Sequence, residues 1–314
     1  MKDQFEQLLK EHMYDQVNEA TTLRYLLRSG FRKDLVVVFR DSNKSPLGIG
    51  YLTDEEGIRE RLERHHDTLV LIQEKGSDQL KSTVPRPVFW EKSGAHWILF
   101  VSSLPGIPMN QFFNSQNDIN KILTSHLPKA MKWLIHLHKE FQQDNQSLQS
   151  LVNSSEAKDS LGEIEFEARN TTVPMVLQHG DFHPTNLLVN GQQISVVDWE
   201  YSAWPGLPLY DVFFLLVHIF RRSTMKQSRI RSLSKTIDLA DNNINLPQTN
   251  DFKGAFFEEN RYSDIFKDTI RNYCFQLDID PSCAKILFYL FLAHYRGKDL
   301  MQVMIKDEAD FTIK

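Results

Sequence analysis

Hydrophobic and polar positions follow two different spacings in the first hundred residues of the chain. Apolar side chains recur at helical spacing over residues 1–20, which predicts a helix. Three later runs are rich in β-branched and aromatic residues and predict strands, at 21–28, 35–40 and 47–52. A helical stretch over 54–73 is followed by two more strand-like runs, 88–91 and 96–102. The pattern therefore predicts a region in which strands outnumber helices.

Helical spacing dominates after residue 102. A helix is predicted over 118–142, with a break or kink at Pro128 because proline removes a backbone donor. A polar connection spans 143–173, and an apolar run predicts a buried helix over 212–220. Two further helices are predicted in the last sixty residues, at 256–273 and 284–296. This part of the chain is therefore predicted to be mostly helical.

Composition restricts the classes of protein to consider. The 314 residues are 41% hydrophobic and 25% charged, as in ordinary soluble globular proteins. The net charge of −5 argues against a primary role on nucleic acid. Two cysteines, Cys274 and Cys283, are too few for a disulfide scaffold and favour a reducing compartment. Together with the charged N-terminus and apolar runs too short to cross a bilayer, this predicts a cytoplasmic protein without a membrane span.

One polar stretch, residues 177–200, concentrates the side chains that can carry chemistry. It reads LQHGDFHPTNLLVNGQQISVVDWE, with Asn186 five positions after Asp181 and Asp198 twelve after Asn186. An Asn-Gly pair at 190–191 lies between two apolar runs and predicts a tight hairpin. The hairpin would return Asp198 close to the loop that carries Asp181 and Asn186.

These three side chains suit phosphoryl transfer. A carboxylate beside an attacking hydroxyl orients it and accepts its proton. An amide oxygen and a second carboxylate are the hard oxygen ligands that Mg²⁺ prefers. His179 and His183 lie in the same loop, and we interpret both as residues that shape it, because no cysteine or carboxylate accompanies them at zinc spacing.

The segment HGDFHPTN resembles the catalytic loop of the aminoglycoside phosphotransferase and choline kinase group, relatives of protein kinases. Asp198-Trp199-Glu200 similarly resembles the D-F-G segment of kinases. The resemblance implies an α+β, bilobal protein-kinase-like fold, with a small mixed-sheet N-lobe at 1–101 and a mostly helical C-lobe at 102–314. It also implies Asp181 as catalytic base, Asn186 and Asp198 as Mg²⁺ ligands, and ATP as the phosphoryl donor.

The nucleotide-binding lobe departs from the family pattern. The resemblance places a hinge for adenine at Val101 to Ser103, but the third strand, LGIGYLT, has no phosphate-gripping lysine. The turn before the second strand carries Gly30, Arg32 and Lys33, which are candidates for phosphate contact. A solvated charged turn is the equally weighted alternative for Arg32 and Lys33.

The resemblance implies that the chain phosphorylates a hydroxyl of a small molecule such as a sugar, an aminoglycoside or an amino alcohol. The missing lysine favours the alternative of a nucleotide-binding pseudokinase with a regulatory or scaffolding role. A protein kinase is a weaker third option, because no A-P-E-like segment is visible. Three acids, Glu258, Glu259 and Asp264, are either surface acids or contacts for a cationic acceptor. Asp211 is expected to have a structural role, either as a capping or first-turn acid of the helix that follows or, as the resemblance implies, as a brace of the catalytic loop.

Overall fold

The computed structural model describes residues 2–13, 21–27, 33–40, 45–155, 171–224 and 247–296. By their internal contacts these residues form two compact units. The first, called here the N-terminal unit, runs to Gly106 and includes Ser195–Tyr201. The second, the C-terminal unit, contains the other described residues. Asp198 thus groups with the N-terminal unit although it follows the catalytic loop in sequence.

The N-terminal unit is built on one five-stranded sheet. Its strands have the order β1-β2-β3-β5-β4, and every pair is antiparallel. The elements are α1 (Lys2–His12), β1 (Thr21–Leu27), β2 (Asp34–Arg40), β3 (Pro46–Thr53), α2 (Glu56–Lys75), α3 (Asp78–Lys81), β4 (Pro87–Ser93) and β5 (His96–Ser102). The predicted order of strands and helices is confirmed here, and only the four-residue α3 escaped prediction.

Helices cover both faces of this sheet. Successive side chains on a strand point to opposite faces. At Gly50 of β3 a Cβ would lie 2.8 Å from the ring of Phe5, so the absent side chain lets α1 approach that face. The next residue, Tyr51, contacts His65 of α2 with ring centroids 5.4 Å apart. Phe5 and Leu9 are fully buried, and each stabilises the unit by about 1.5–3 kcal/mol at most.

The C-terminal unit combines seven helices with short strands among its described residues. The elements are β6 (Ile107–Pro108), α4 (Gln116–Lys121), α5 (Leu127–Glu140), β7 (Gln143–Ser147), α6 (Leu148–Ser154), β8 (Thr172–Gln178), β9 (Leu187–Asn190), β10 (Gln193–Val196), β11 (Ala203–Gly206), α7 (Tyr210–Thr224), α8 (Thr249–Phe256), α9 (Ser263–Gln276) and α10 (Ala284–Arg296). The strands form the sheets β10-β9-β6 and β11-β8-β7. The α+β class predicted from sequence is therefore confirmed.

The hairpin between β9 and β10 is also confirmed. Gly191 has φ +59, the left-handed conformation that a tight hairpin turn requires.

The helical core of the C-terminal unit is aromatic around α7. This helix is buried from Tyr210 to Ile219, and Phe213 contacts Phe288 and Phe291 of α10 with ring centroids 5.2 and 5.7 Å apart. This core fixes α7, the helix that follows the catalytic loop.

Two helix predictions were wrong in detail. The helix expected over 118–142 is divided by a π-helical turn, Ile122–His126, and Pro128 sits in the first turn of α5, where a missing N–H costs little. The helix expected over 256–273 is broken between α8 and α9. There the Asn260 side chain donates to the carbonyls of Gly254 and Glu258, and such local bonds compete with helix continuation.

Candidate active site

The catalytic loop, residues 179–186, leaves the buried strand β8 and folds back on itself. The N–H of His183 donates to the carbonyl of Asp181 at 3.0 Å, and the N–H of Asn186 donates to the carbonyl of His183 at 2.9 Å. His179 accepts the N–H of Asp181 at its Nδ1 atom, 3.2 Å away. These short-range bonds hold Asp181 and Asn186 on one small loop. The interpretation of both loop histidines as shaping residues agrees with these contacts.

Asp211, in the first turn of α7, fixes the start of this loop. Its fully buried carboxylate accepts the N–H of His179 at 2.7 Å through Oδ2 and that of Gly180 at 2.9 Å through Oδ1. The Nε2 atom of His138 lies 3.7 Å from the same Oδ2. The predicted bracing role of Asp211 is confirmed. Since bonds to charged groups are stronger than neutral ones, the brace makes the position of the loop well determined.

The Asp181 carboxylate is held by two side chains of its own loop. Asn186 donates Nδ2 to Asp181 Oδ2 at 2.8 Å and to the Asp181 carbonyl at 3.0 Å. His183 places Nε2 at 3.3 Å from Oδ1. Burial acts to raise the pKa of Asp181, but His183, His179 and Asn186 outweigh it and leave the pKa below its ordinary value. The group is therefore an ionised carboxylate at neutral pH. Sequence reasoning missed that His183 touches this carboxylate.

Two oxygen ligands are available for a hard cation. Because the Asn186 amide nitrogen faces Asp181, its oxygen Oδ1 is the branch left for a metal. Asp198, in the N-terminal unit, has φ +69, an unusual conformation for a residue other than glycine. Its Oδ1 is buried without a hydrogen-bond partner in the described chain, as expected of a carboxylate awaiting a cation. Each of these oxygen atoms is by its chemistry a suitable ligand for Mg²⁺. The predicted proximity of Asp198 to Asp181 stays a prediction.

Lys33 is not part of a solvated turn. It is 7% exposed and forms a buried ion pair with Glu200, which is 3% exposed. Its Nζ also lies 5.3 Å from the centre of the Tyr51 ring. The interpretation of Lys33 as part of a solvated charged turn is therefore wrong. A buried ammonium group requires an ionic partner, and Glu200 supplies the carboxylate. Gly30 and Arg32 lie outside the described residues.

Sequence reasoning missed Glu200. The only signal was an acid two positions after Asp198, in the Asp-Trp-Glu segment. In the structure α2 also holds this segment: Arg64 donates to the Glu200 carbonyl at 3.3 Å, and Arg61 donates to the Tyr201 hydroxyl at 3.0 Å. The segment that carries Asp198 is thus tied to α2 and to Lys33 within one unit.

The hinge residues Val101 and Ser103 lie at the end of β5. Val101 is buried and pairs with Ile49 of β3 and with Pro87 of β4. The N–H of Ser103 donates to the Leu47 carbonyl at 3.1 Å.

The three acids considered for a cationic acceptor, Glu258, Glu259 and Asp264, are all exposed. Arg221 and Arg222 lie in the last turn of α7. Arg221 pairs with Asp251 at 2.6 Å. Among the described helices, none is long and apolar enough to cross a membrane.

Comparisons with known proteins agree with the resemblance seen in the sequence. The profile of the phosphotransferase enzyme family, APH, matches residues 54–231. An aminoglycoside phosphotransferase from Streptomyces rimosus, solved with ADP and streptomycin, is 13% identical over 96% of this chain and 99% of that chain, with a TM-score of 0.47. Choline kinase from Cryptosporidium parvum is 13% identical over 99% and 98%, with a TM-score of 0.46. A search of curated proteins found no match.

Proposed function

This chain belongs to the phosphotransferase enzyme family, and we propose that it transfers the terminal phosphoryl group of ATP to a hydroxyl of a small molecule. Sugars, aminoglycosides and amino alcohols are the acceptor classes that the resemblance implies. The observation that carries the proposal is the Asp181 carboxylate, which is ionised and held in place by Asn186 and His183. A fixed anionic base is what the attacking hydroxyl needs.

In the proposed reaction Asp181 orients the acceptor hydroxyl and takes its proton. The hydroxyl oxygen forms a bond to the terminal phosphorus while the bond to the ADP oxygen breaks. Asn186 keeps the carboxylate of Asp181 from rotating, since its Nδ2 bonds both the side chain and the backbone of that residue. Asp211 holds the loop backbone through two charged hydrogen bonds. Positioning of this kind supplies much of the rate in phosphoryl transfer.

Asn186 and Asp198 would hold Mg²⁺ through their side-chain oxygens. When bound, the ion neutralises charge on the donor phosphates. The orphaned Oδ1 atom of Asp198 supports this assignment, because a buried carboxylate oxygen without a donor is costly unless a cation satisfies it.

Lys33 and Glu200 take the place of the missing lysine of the third strand in this proposal. β3 holds no lysine, and its Tyr51 contacts His65 of α2. The ammonium of Lys33 lies over Tyr51 and is held by Glu200, two residues after Asp198. It would steady the donor phosphates. Gly30, Arg32, Val101 and Ser103 complete the proposed nucleotide site.

Substitution of Asp198 tests the metal assignment. Asp198→Ala should remove the Mg²⁺-dependent part of ATP binding, because no other residue is proposed to replace its carboxylate. Calorimetric titration with ATP, with and without Mg²⁺, measures this. The exposed Asp78 of α3 provides the control, and Asp78→Ala should bind as the wild type does. Wild-type affinity and metal dependence in Asp198→Ala would remove Asp198 from the site.

A nucleotide-binding pseudokinase is the second candidate function. The observation that favours it is the absence of a lysine from β3, Pro46–Thr53. This function predicts nucleotide binding without turnover, whereas the enzyme predicts slow ATP hydrolysis that requires Asp181. Measurement of hydrolysis therefore separates the two before the acceptor is identified.

We place the protein in the cytoplasm. Both cysteines, Cys274 and Cys283, are buried free thiols, and burial raises the pKa of Cys274 to about 12. Free thiols are typical of a reducing compartment.

A further inference from the structure

One face of α7 contacts the catalytic loop through three side chains. Phe214, His218 and Arg222 are four residues apart and so share a face of the helix. The ring of His218 stacks on that of His183, with centroids 4.9 Å apart and planes at 22°, and Phe214 lies 6.0 Å from the same ring. Arg222 donates Nη2 to Thr185 Oγ1 at 3.2 Å. The guanidinium of Arg222 is thus hydrogen-bonded to Thr185, the residue directly before Asn186.

Arg222 lacks a carboxylate partner among the described residues. Its Nε is fully enclosed and makes no hydrogen bond in this part of the chain. Burial, with a smaller contribution from the neighbouring Arg221, lowers the pKa of Arg222 to about 10, and no acidic group opposes this shift. Arg221 differs, because it pairs with Asp251 at 2.6 Å. Arg222 is half-buried beside the loop and no carboxylate of the described residues opposes its charge, so its remaining N–H donors are available to an anionic ligand.

We propose that Arg222 binds an anionic group of the acceptor. The alcohol whose hydroxyl is deprotonated by Asp181 and then phosphorylated would therefore carry a carboxylate or a phosphate. This inference rests on the proposed function, since Asp181 defines where the hydroxyl lies. A guanidinium presents five donors in a planar fork that matches the oxygens of either anion. His183 touches the Asp181 carboxylate and stacks on His218, which precedes Arg222 by four residues on α7.

The assignment narrows the acceptor classes. An unpaired cation near the loop repels polycationic acceptors such as aminoglycosides. The three acids that could have met a cationic acceptor are exposed. Among sugars and other alcohols, the structure therefore favours those that carry an acid or a phosphate ester.

A purely structural role for Arg222 makes a different prediction. Arg222 lies in the last turn of α7, where a cation interacts favourably with the helix dipole. In that case Arg222→Gln should lower the melting temperature and leave anion binding unchanged. A ligand-binding role predicts the reverse, because removal of a half-buried charge that has no carboxylate partner among the described residues does not destabilise the fold.

The first test measures anion binding by the full chain without nucleotide. Inorganic phosphate is titrated calorimetrically into the wild type, Arg222→Lys and Arg222→Gln. The control is Arg271→Gln, which removes an exposed arginine of α9. Arg222→Gln should bind phosphate about 10-fold more weakly or worse, the loss expected for a charge-assisted contact, and Arg222→Lys should lie between it and the wild type. Equal binding by the wild type and Arg222→Gln, or no binding by the wild type, would overturn the proposal.

The second test measures acceptor choice. Phosphoryl transfer from ATP is compared for glycerol, glycerate and glycerol 3-phosphate, three alcohols that differ in their anionic group. The ratio of kcat/KM for the better anionic acceptor to that for glycerol should exceed about 10 in the wild type and fall by about that factor in Arg222→Gln. The ratio should stay unchanged in Arg271→Gln. A wild-type preference for glycerol would overturn the acceptor assignment.

The two tests separate failure of this inference from failure of the proposed function. ATP hydrolysis that requires Asp181, combined with phosphate binding that ignores Arg222, refutes the inference and leaves the function standing. Absence of any Asp181-dependent turnover, combined with phosphate binding that requires Arg222, refutes the function and with it the acceptor role of this arginine.

Discussion

The buried ion pair of Lys33 and Glu200 allows the most quantitative prediction. Both side chains are buried, so replacing either one removes the ionic partner of the other. Loss of one partner of such a pair costs about 3–5 kcal/mol of unfolding free energy. Lys33→Met and Glu200→Gln should each show a loss of this size. The double variant should lose less than the sum by about 1–3 kcal/mol, since the second substitution removes the charge that the first left unpaired.

Urea denaturation of the four proteins completes this double-mutant cycle. Lys92 provides the control, because its exposed ammonium also lies over an aromatic ring, 5.6 Å from the centre of Trp97. Lys92→Met should change stability by about 1 kcal/mol at most. Additive losses of less than about 1 kcal/mol at Lys33 and Glu200 would show that the pair is solvated, as the charged turn in the sequence suggests. The pairing would then fail as a support for donor phosphates.

Two further predictions concern the elements that position the site. Asp211→Asn should lower the free energy of unfolding by about 2–4 kcal/mol, since two backbone donors of the catalytic loop lose a charged acceptor. The control Asp264→Asn, in the exposed first turn of α9, should lower it by less than about 0.5 kcal/mol. Equal losses in denaturation curves would contradict the bracing role. Gly50→Ala should lower the free energy of unfolding by about 1–3 kcal/mol, because the new Cβ would overlap the ring of Phe5. At the control position Gly57 a Cβ would have no neighbouring atom within 4 Å, so Gly57→Ala should stabilise α2 by up to about 1 kcal/mol. A melting temperature of Gly50→Ala equal to that of the wild type would show that the packing of α1 does not depend on the close approach of Phe5 to Gly50.

Local sequence signals predicted much of the structure. The Asn-Gly hairpin and the five strands of the first sheet depend on short-range turn chemistry and on β-branched runs, which can be recognised without tertiary contacts. The loop of Asp181 and Asn186 was recognisable because its residues lie within five positions and bond to one another. The order of strands and helices in the N-terminal unit could be predicted because each element has its own local sequence signal.

Contacts between distant positions could not be predicted in this way. Lys33 and Glu200 are 167 positions apart, so neither a buried environment nor a partner was visible in the charged turn around Lys33. The break between α8 and α9 depends on the Asn260 side chain choosing backbone carbonyls over continued helix, which helical spacing does not report. Likewise, the fact that Arg222 has no carboxylate partner among the described residues cannot be recognised from the sequence.

The central claim is that Asp181 acts as the base of a phosphotransferase. Its most direct test is ATP hydrolysis with Mg²⁺ by the wild type and by Asp181→Asn, since water can replace the unidentified acceptor. The amide should still hold the loop but cannot accept a proton, so the account predicts slow wild-type hydrolysis that falls about 10²- to 10⁴-fold in the variant, with ATP binding retained. Hydrolysis that is equal in the two proteins, or absent from the wild type while nucleotide binding ignores Mg²⁺, would contradict the claim.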